Sequence, residues 1–340
     1  MTLSSVPVTV LMPVFNAERW LKQAVDSILE QTFTDFEFLI IDDGSTDNSL
    51  NILESYDDAR INLVINPENR GLINSLNQGL SLAKGEYIAR MDADDIALPE
   101  RLSTQYGLMS EQLDTVVCSS NAEQIDHNQQ PLGEMILPSN DPEIKTMLRF
   151  RCPLIHPASF FRKAAARQAG GYEPKDIDAE DFGLWLRLSS LGKFTNIQKI
   201  LLQYRIHKNN VSSQPSSRQG NNAFRLSYTA LNEAMDARLD ENSYRAFWFY
   251  WVKNSGVPSL PAISKLNNMF SFASSLPCSD NILFSSWRKI GLKLIEEGHL
   301  LTGLYLESVL KKHSGFGYPN KYTAIKQGIK KILLYPFKRT

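Results

Sequence analysis

The sequence contains few cysteines, and those that it has are far apart. Cys118, Cys152 and Cys278 are odd in number and form no Cys-x-x-Cys pair. Such a set favours neither a disulfide framework nor a thiolate zinc site. We therefore expect buried thiols without a part in metal or disulfide chemistry.

Long apolar runs are also missing. No window of about 18 apolar residues occurs, and the first residues, MTLSSVPVTVLMPVF, lack the basic start and continuous apolar core of a secretory signal. Hydrophobic residues make up 43% of the chain and charged residues 21%, which is typical of a folded protein. The sequence predicts a cytoplasmic protein without a membrane span, and 340 residues suggest one large domain plus an appendage.

Two common phosphate-binding motifs are absent. No G-x-G-x-x-G follows the first apolar run, and no G-x-x-x-x-G-K-[ST] occurs anywhere. These absences exclude a typical dinucleotide site and a P-loop. Any bound phosphates must be held by other groups.

What is present is an alternation of β-rich runs with helical patterns. The runs are VTVLM (8–12), FEFLII (36–41), INLVI (61–65) and YIARM (87–91). This order predicts right-handed crossovers in an α/β fold with a mostly parallel sheet, covered by helices on both faces. Apolar residues recur at helical spacing between the runs, at Trp20, Leu21, Ala24, Val25, Ile28 and Leu29 and again at Leu72, Ile73, Leu76 and Leu80.

Polar clusters follow three of these strands. They are Pro13–Asn16, Asp42–Asp47 and the acidic loop DADD (92–95). Open α/β sheets bind ligands beyond the carboxyl ends of their strands, so the three clusters are expected at one edge.

The acidic loop has the chemistry of a metal site. Asp92 and Asp94 are two positions apart in a segment expected to be extended, so their side chains point to the same side. Oxygen ligands suit Mg²⁺ and Mn²⁺, and Mg²⁺ is usually held by one or two carboxylates with substrate phosphates. The alternative is that Asp94 or Asp95 caps the following helix, with Pro99 in its first turn.

The wider pattern resembles the inverting family 2 glycosyltransferases, whose catalytic domain has the GT-A fold. The resemblance covers roughly residues 6 to 210. Its motifs are PVFNAERWLKQAVDSILEQTFTDFEFLIIDDGSTD and NRGLINSLNQGLSLAKGEYIARMDADD, followed by CPLIHPASFFRK and DIDAEDFGLWLRLSSLGK.

This resemblance implies a site for a nucleotide-sugar donor. Asp43 matches the carboxylate that accepts a hydrogen bond from the nucleobase, and the imide N–H of uracil or thymine suits such an acceptor. Alternatively, the carboxylates of Asp42–Asp47 cap the helix after them. Arg70 is either a nucleotide contact or an exposed loop arginine. The donor-binding residues are thus expected to be Pro13, Val14, Phe15, Asn16, Asp43, Arg70, Asp92 and Ala93.

The resemblance also implies a metal cofactor, Mn²⁺ or Mg²⁺. Asp92 would lie toward the ribose, and Asp94 would bind the metal that bridges the diphosphate. Asp95 is an alternate metal ligand, and His207 in YRIHKNNVS could complete the metal site. Arg205 could neutralise phosphate charge.

The acceptor half of the resemblance supplies a base. Inverting sugar transfer is a single displacement in which a carboxylate takes the acceptor hydroxyl proton. Asp181 is the expected base, and Glu180 would position the acceptor or the base. Both could also simply begin a helix, where negative charge is favoured. His156 matches a position near the acceptor, and Trp185 is either a core aromatic or a platform for a sugar.

The chain is predicted to consist of a catalytic domain (1–211), a polar linker (212–222) and a mainly helical region (223–340). Eight Lys or Arg and no Asp or Glu lie between Ser308 and Thr340. The basic amphipathic end YTAIKQGIKKILLYPFKRT indicates either an anionic membrane surface as partner or a helix packed on the protein.

The leading interpretation is a metal-assisted glycosyltransferase that uses a nucleotide sugar, UDP-linked by expectation, in surface polysaccharide or lipopolysaccharide assembly. Its acceptor would be a glycan or a lipid-linked glycan, and no nucleic-acid partner is expected. One competitor is a non-catalytic nucleotide-sugar-binding scaffold. Another is a haloacid-dehalogenase-type phosphatase, since DADDI imitates its DxDx[TV] signature, although the motif follows a late strand and Ile96 occupies the Thr/Val position.

Overall fold

The computed structural model divides into two compact units. The first comprises Met1–Lys145 and Cys152–Asn222, and the second comprises Thr146–Arg151 and Ala223–Thr340. Within them, the structure describes residues 6–208, 210, 217–235, 238–253, 256–276, 283, 285–297 and 299–314.

The first unit is built on a nine-stranded mixed sheet with the strand order β3-β2-β1-β4-β8-β6-β9-β5, in which β7 pairs with β6. The strands are β1 Val8–Val14, β2 Phe36–Asp42, β3 Ile61–Ile65, β4 Tyr87–Arg90, β5 Ile96–Ala97, β6 Thr115–Ile125, β7 Pro131–Met135, β8 Phe160–Arg162 and β9 Lys193–Arg205. The helices that begin in this unit are α1 Leu21–Leu29, α2 Ser49–Glu54, α3 Leu72–Leu82, α4 Arg101–Glu111, α5 Asp141–Leu148, α6 Lys163–Gln168, α7 Glu180–Leu188 and α8 Ser217–Ala234.

The first four strands run parallel, as the sequence predicts. Every residue of β1 and of β2 is buried, because helices cover both faces of the sheet. Leu21, Ala24, Val25 and Ile28 of α1 are fully buried in the same core. The predicted α/β fold with a mostly parallel sheet flanked by helices is confirmed.

The register of the strands brings the polar clusters to one edge. Val14 pairs with Asp42, and Leu11 pairs with Arg90. The residues that follow these strands, from Phe15, Asp43 and Met91 onward, therefore leave the sheet on the same side.

Gly44 allows two of the edge loops to touch. Its φ of 71° lies in the left-handed region that favours glycine. A Cβ at this position would lie 2.6 Å from the carbonyl carbon of Glu68. A side chain there would push the loop after β2 away from the loop after β3.

The second unit is helical. Its core contains the fully buried rings of Phe247, Trp248 and Trp287, and the Trp248 indole donates to the Phe150 carbonyl oxygen at 2.7 Å. That bond ties the short segment Thr146–Arg151 to this unit. The remaining helices are α9 Glu241–Lys253, α10 Leu260–Ser264, α11 Asn267–Ser275, α12 Ser285–Glu296 and α13 Leu300–Ser314.

The structure describes only part of the predicted linker and none of the predicted basic end. Residues 211–216 lie outside the described part of the chain, whereas 217–222 form the first turns of α8 rather than an irregular connection. The basic segment 322–340 also lies outside the described residues. Among the residues that are described, no helix combines the length and apolarity needed to cross a membrane.

Candidate active site

The acidic loop lies between β4 and β5 at the edge of the sheet. Ligand atoms of Asp92, Asp94 and Asp95 all lie within 4.8 Å of one another. The alternative that these carboxylates cap a helix does not hold, because β5 intervenes and α4 begins only at Arg101, with Glu100 at its N-cap.

These carboxylates fit a hard divalent cation. Asp95 is 1% exposed, and its Oδ2 has no hydrogen-bond partner among the residues that the structure describes. Burial, together with the charges of Asp94 and Asp92, holds the pKa of Asp95 well above its ordinary value. Burial also raises the pKa of Asp92, although the Arg90 guanidinium opposes the rise. A cation held by oxygen ligands would offset this repulsion.

Two buried arginines stabilise the loop from behind. Arg90, at the end of β4, is 2% exposed and forms an ion pair with Asp92. Arg205, at the end of β9, is fully buried. Its backbone N–H donates to Asp95 Oδ1 at 2.8 Å, and its Nε donates to the Asp94 carbonyl oxygen at 2.7 Å. The expectation that Arg205 neutralises phosphate is thus corrected: its charge lies beneath the loop rather than at the cleft surface.

His207 meets the acidic loop from the segment after β9. Its Nε2 lies 2.7 Å from Asp94 Oδ2. Its ring stacks on Trp20, with the two ring centroids 4.3 Å apart and the planes inclined by 28°. The structure thus brings His207 to the predicted metal ligands, where an imidazole can join carboxylates around Mn²⁺.

The predicted nucleobase carboxylate lies deeper than expected. Asp43 is 3% exposed, and its Oδ1 accepts from the Asn66 side chain at 2.8 Å. Its Oδ2 accepts from the backbone N–H groups of Arg70 and Gly71 at 3.1 and 2.8 Å. Asp43 therefore ties the loop after β3 to the loop after β2 and does not cap α2.

The first edge loop is partly exposed. Pro13 and Val14 are buried in β1, whereas Phe15 is 46% exposed. Asn16 has a φ of 50°, and its Oδ1 accepts from the Thr46 backbone N–H at 2.8 Å. Only the second half of the predicted segment Pro13–Asn16 can therefore face a ligand. Ala93, between Asp92 and Asp94, is buried, with 8% of its surface exposed.

The predicted base stands at the start of α7, where Glu180 and Asp181 form the first turn. Asp181 Oδ1 accepts from the Phe182 backbone N–H at 2.7 Å, and Asp181 Oδ2 lies 3.6 Å from the Cys152 thiol. Burial, reinforced by the charge of Asp181, raises the pKa of Glu180 to about 7. Burial also raises the pKa of Asp181. Glu180 can therefore change its protonation state near neutral pH.

His156 lines the same region. Its Nε2 lies 3.0 Å from the Tyr172 hydroxyl, and burial, with the nearby positive charge of Arg90, holds the pKa of His156 well below its ordinary value. The imidazole is therefore neutral at physiological pH. Trp185 is fully buried, with its ring 5.5 Å from that of Phe161, so it is the core aromatic and offers no face to a sugar.

These groups share one cleft of about 630 Å³. Asp92, Asp94 and His207 lie on its walls together with Glu180 and Asp181. Arg70, exposed at the start of the loop into α3, also lines it. Asp43, Asp95, Trp185 and Arg205 are not among its lining residues.

Sequence reasoning missed three members of this region. Arg90 is the penultimate residue before the acidic loop, Tyr172 supports His156, and Trp20 stacks on His207. The sequence carries a signal only for Arg90, because a cation inside an apolar strand needs a partner. Trp20 lies far along the chain from His207, and β8 and α6 separate Tyr172 from His156.

The sequence profile of the family described as glycosyl transferase family 2 matches residues 9–169. An uncharacterized glycosyltransferase of Haemophilus influenzae is 33% identical over 64% of this chain and 71% of its own length. The putative glycosyltransferase EpsE of Bacillus subtilis is 35% identical over 58% of this chain and 72% of its own length. The O-antigen biosynthesis glycosyltransferase WbnJ of Escherichia coli is 32% identical over 62% of this chain and 83% of its own length.

Solved structures agree at the level of the fold. S. aureus TarS in complex with UDP has a TM-score of 0.56 at 17% identity, covering 91% of this chain and 89% of that one. The mannosyltransferase PcManGT from Pyrobaculum calidifontis, in complex with GDP-Man and Mn²⁺, has a TM-score of 0.53 at 18% identity, covering 90% and 86%. The family profile and the relatives define the class: the chain belongs to glycosyl transferase family 2 and is a glycosyltransferase.

Proposed function

We propose that this glycosyltransferase moves a sugar from a nucleoside-diphosphate donor, UDP-linked, to a glycan or lipid-linked glycan during cell-surface polysaccharide assembly. The pathway follows from relatives whose names specify amylovoran and O-antigen biosynthesis. The donor class follows from solved neighbours with bound UDP, UDP-GlcNAc and GDP-Man.

One observation carries the proposal: two separate carboxylate groups line a single cleft. The acidic loop supplies Asp92 and Asp94, and the start of α7 supplies Glu180 and Asp181. In the transfer, the nucleotide part of the donor leaves with negative charge, and the acceptor hydroxyl loses a proton. The first group suits the leaving diphosphate, through a cation, and the second suits the proton.

On the donor side, Phe15, Asn16 and Arg70 would contact the nucleotide, while Asp43 holds together the loops that carry them. A Mn²⁺ or Mg²⁺ ion held by Asp94, with Asp95 or His207, would supply positive charge to the diphosphate. The chain's own contribution is to orient the loop: Arg90 forms an ion pair with Asp92, and Arg205 holds the backbone at Asp94.

On the acceptor side, Asp181 would take the hydroxyl proton. Its Oδ1 is held by the Phe182 backbone N–H, and its Oδ2, which has only the weak donor Cys152 beside it, would accept the proton. Glu180 would orient the acceptor and tune the base through its own charge. Attack by the hydroxyl oxygen on the face of the anomeric carbon opposite the nucleotide breaks the bond to the nucleotide in one step, with inversion.

The proposal is tested by measuring UDP release from a panel of UDP-sugars with Mn²⁺ and candidate glycan acceptors. Loss of a general base costs about 10²–10⁴-fold, so Asp181→Asn should lower turnover by that factor. Mn²⁺-dependent UDP binding should be unchanged. Asp114→Asn, at an exposed carboxylate paired with Lys193, is the matched control.

Two outcomes would contradict this assignment. Equal turnover of Asp181→Asn and wild type would remove Asp181 as the base. Donor binding by the wild-type chain with no transfer to any acceptor would favour the non-catalytic scaffold. The phosphatase alternative is not retained, because the chain belongs to a glycosyltransferase family and its acidic motif follows β4.

The proposed location of the protein is the cytoplasmic face of a membrane. The basic segment 322–340 would bind the protein to that surface. Each Lys or Arg near an anionic surface contributes about 1 kcal/mol to binding. Sedimentation with anionic liposomes should pellet the full-length protein but not a chain that ends at Ser314. Equal pelleting of the two would remove the membrane proposal.

A further inference from the structure

Trp20 occupies a position that the proposed chemistry does not use. It is the residue before α1, and its half-buried indole is stacked against the His207 ring at a centroid distance of 4.3 Å. The Arg205 guanidinium carbon lies 5.6 Å from the centre of the same indole. Trp20 thus contacts two residues that engage Asp94: Arg205, the last residue of β9, and His207, just after it.

These two residues engage Asp94 at different atoms. His207 Nε2 lies 2.7 Å from the Asp94 carboxylate, and Arg205 Nε donates to the Asp94 carbonyl oxygen at 2.7 Å. Gln23, one turn into α1, accepts from Arg205 Nη2 at 3.0 Å. The start of α1 therefore forms a platform beneath the part of β9 that contacts the acidic loop.

The platform is rigid because α1 is anchored in the core. Leu21 is fully buried directly after Trp20, and Ala24, Val25 and Ile28 follow it on the same face. The acidic loop and the segment after β9, by contrast, are irregular connections whose side chains need outside support to hold a fixed geometry. A flat aromatic surface limits the rotation of an imidazole stacked on it.

We propose that Trp20 is a positioning residue for the cation site, whose indole holds the His207 imidazole in register with Asp94. The inference rests on the proposed function, since it assigns His207 to the metal that grips the donor diphosphate. Trp20 touches neither metal nor substrate and acts through His207. Groups that orient a metal ligand typically change metal affinity by 10–100-fold when removed.

The first test is the affinity for Mn²⁺ in the presence of UDP, measured by calorimetry on the full-length chain. Trp20→Ala should weaken Mn²⁺ binding by about 10–100-fold. Trp20→Phe keeps a flat ring and should remain within about threefold of wild type, a difference of less than 1 kcal/mol. Thermal unfolding without metal confirms that each variant is folded, and Trp20→Leu replaces Trp20→Ala if the alanine variant is not.

A double-mutant cycle separates a role through His207 from a general structural role. In a His207→Ala background, Trp20→Ala should cause no further loss of Mn²⁺ affinity. The inference is overturned if folded Trp20→Ala binds Mn²⁺ as wild type does, or if its loss is equally large without His207.

Fluorescence provides a readout that does not depend on turnover. Mn²⁺ is paramagnetic and quenches an indole close to it, whereas Mg²⁺ does not. With UDP present, Mn²⁺ should quench part of the wild-type tryptophan emission, and that part should be absent in Trp20→Phe. Identical quenching in both proteins would contradict the assignment. If wild type binds no Mn²⁺ with UDP, the proposed metal-assisted function itself fails, which is a distinguishable result.

Discussion

The two carboxylate groups of the cleft are built from the same chemistry but compensated differently. The acidic loop has the buried cations Arg90 and Arg205 against it, and both contact the loop directly. Glu180 and Asp181 instead begin a helix, where Asp181 accepts one backbone N–H and stands beside a thiol. Burial and mutual repulsion raise the pKa values of Asp92 and Asp95 even beside these arginines, and a bound divalent cation would offset that repulsion. The pKa of Glu180, raised to about 7, instead favours exchange of a proton near neutral pH.

The largest effect is expected from a substitution in the acidic loop alone. Asp94→Asn removes the charge that faces His207 and the proposed metal, and a metal ion contributes several kcal/mol to the transition state. We expect transfer to fall by about 10³-fold or more, with Mn²⁺-dependent UDP binding lost as well.

Asp181→Asn is the variant with which Asp94→Asn should be compared. That variant should lose turnover and keep donor binding, so the two variants should separate in a calorimetric titration of UDP with Mn²⁺. If Asp94→Asn binds UDP and Mn²⁺ normally, the division of labour between the two carboxylate groups is wrong.

An intermediate effect is expected from Glu180→Gln. Burial and the charge of Asp181 raise the Glu180 pKa from an ordinary 4.5 to about 7, so the folded state binds this proton more tightly than the unfolded chain does. The resulting stabilisation is present below about pH 4.5 and is lost as the pH rises through about 7. Above pH 7 the glutamine variant should therefore be more stable than wild type, by about 1–3 kcal/mol.

The measurement is the melting temperature of both proteins from pH 5 to pH 8. The variant should gain on wild type as the pH rises, because only wild type carries the buried charge. Parallel melting curves at all pH values would show that the Glu180 pKa is not raised.

The smallest effect concerns Cys152. Its thiol lies 3.6 Å from Asp181 Oδ2, at the distance of a weak S–H hydrogen bond. A single hydrogen bond contributes about 1 kcal/mol, so Cys152→Ala should change turnover by no more than about fivefold. Cys118→Ala, at a fully buried cysteine, is the control for lost thiol volume. A loss as large as that of Asp181→Asn would mean that the thiol itself takes part in the reaction.

The sequence predicted the parallel strands β1 to β4 but not the five strands that follow them, and its clearest signals were β1 and β2, which are buried throughout. Runs such as FEFLII cannot be solvated, so their identity as central strands did not depend on distant partners, and β2 spans Phe36–Asp42. The start of α7 at Glu180 followed from the same kind of local signal. The membership of residues 146–151 in the second unit has no such local signal, because it comes from packing of Phe150 on Trp251 and Trp287 and from bonds to Trp248 and Ser227.

Site residues were predictable when their roles came from position along a strand. Asp92, Asp94 and His207 meet because each follows the carboxyl end of a strand. Arg205 was misread for the opposite reason: an arginine near an expected phosphate site resembles a phosphate ligand, and only packing shows that its side chain is fully buried. For Trp185 the sequence left two interpretations open, and its full burial decides for the core aromatic.

The sequence by itself determined the fold class, the family and the carboxylates that carry the proposed chemistry, since strand hydrophobicity and motif spacing are local properties of the chain. Tertiary structure alone decided that Arg205 lies against Asp95 and that the Trp20 ring stacks on His207. The physical reason is distance along the chain: burial and side-chain contact between residues more than a hundred positions apart exist only once the sheet has assembled.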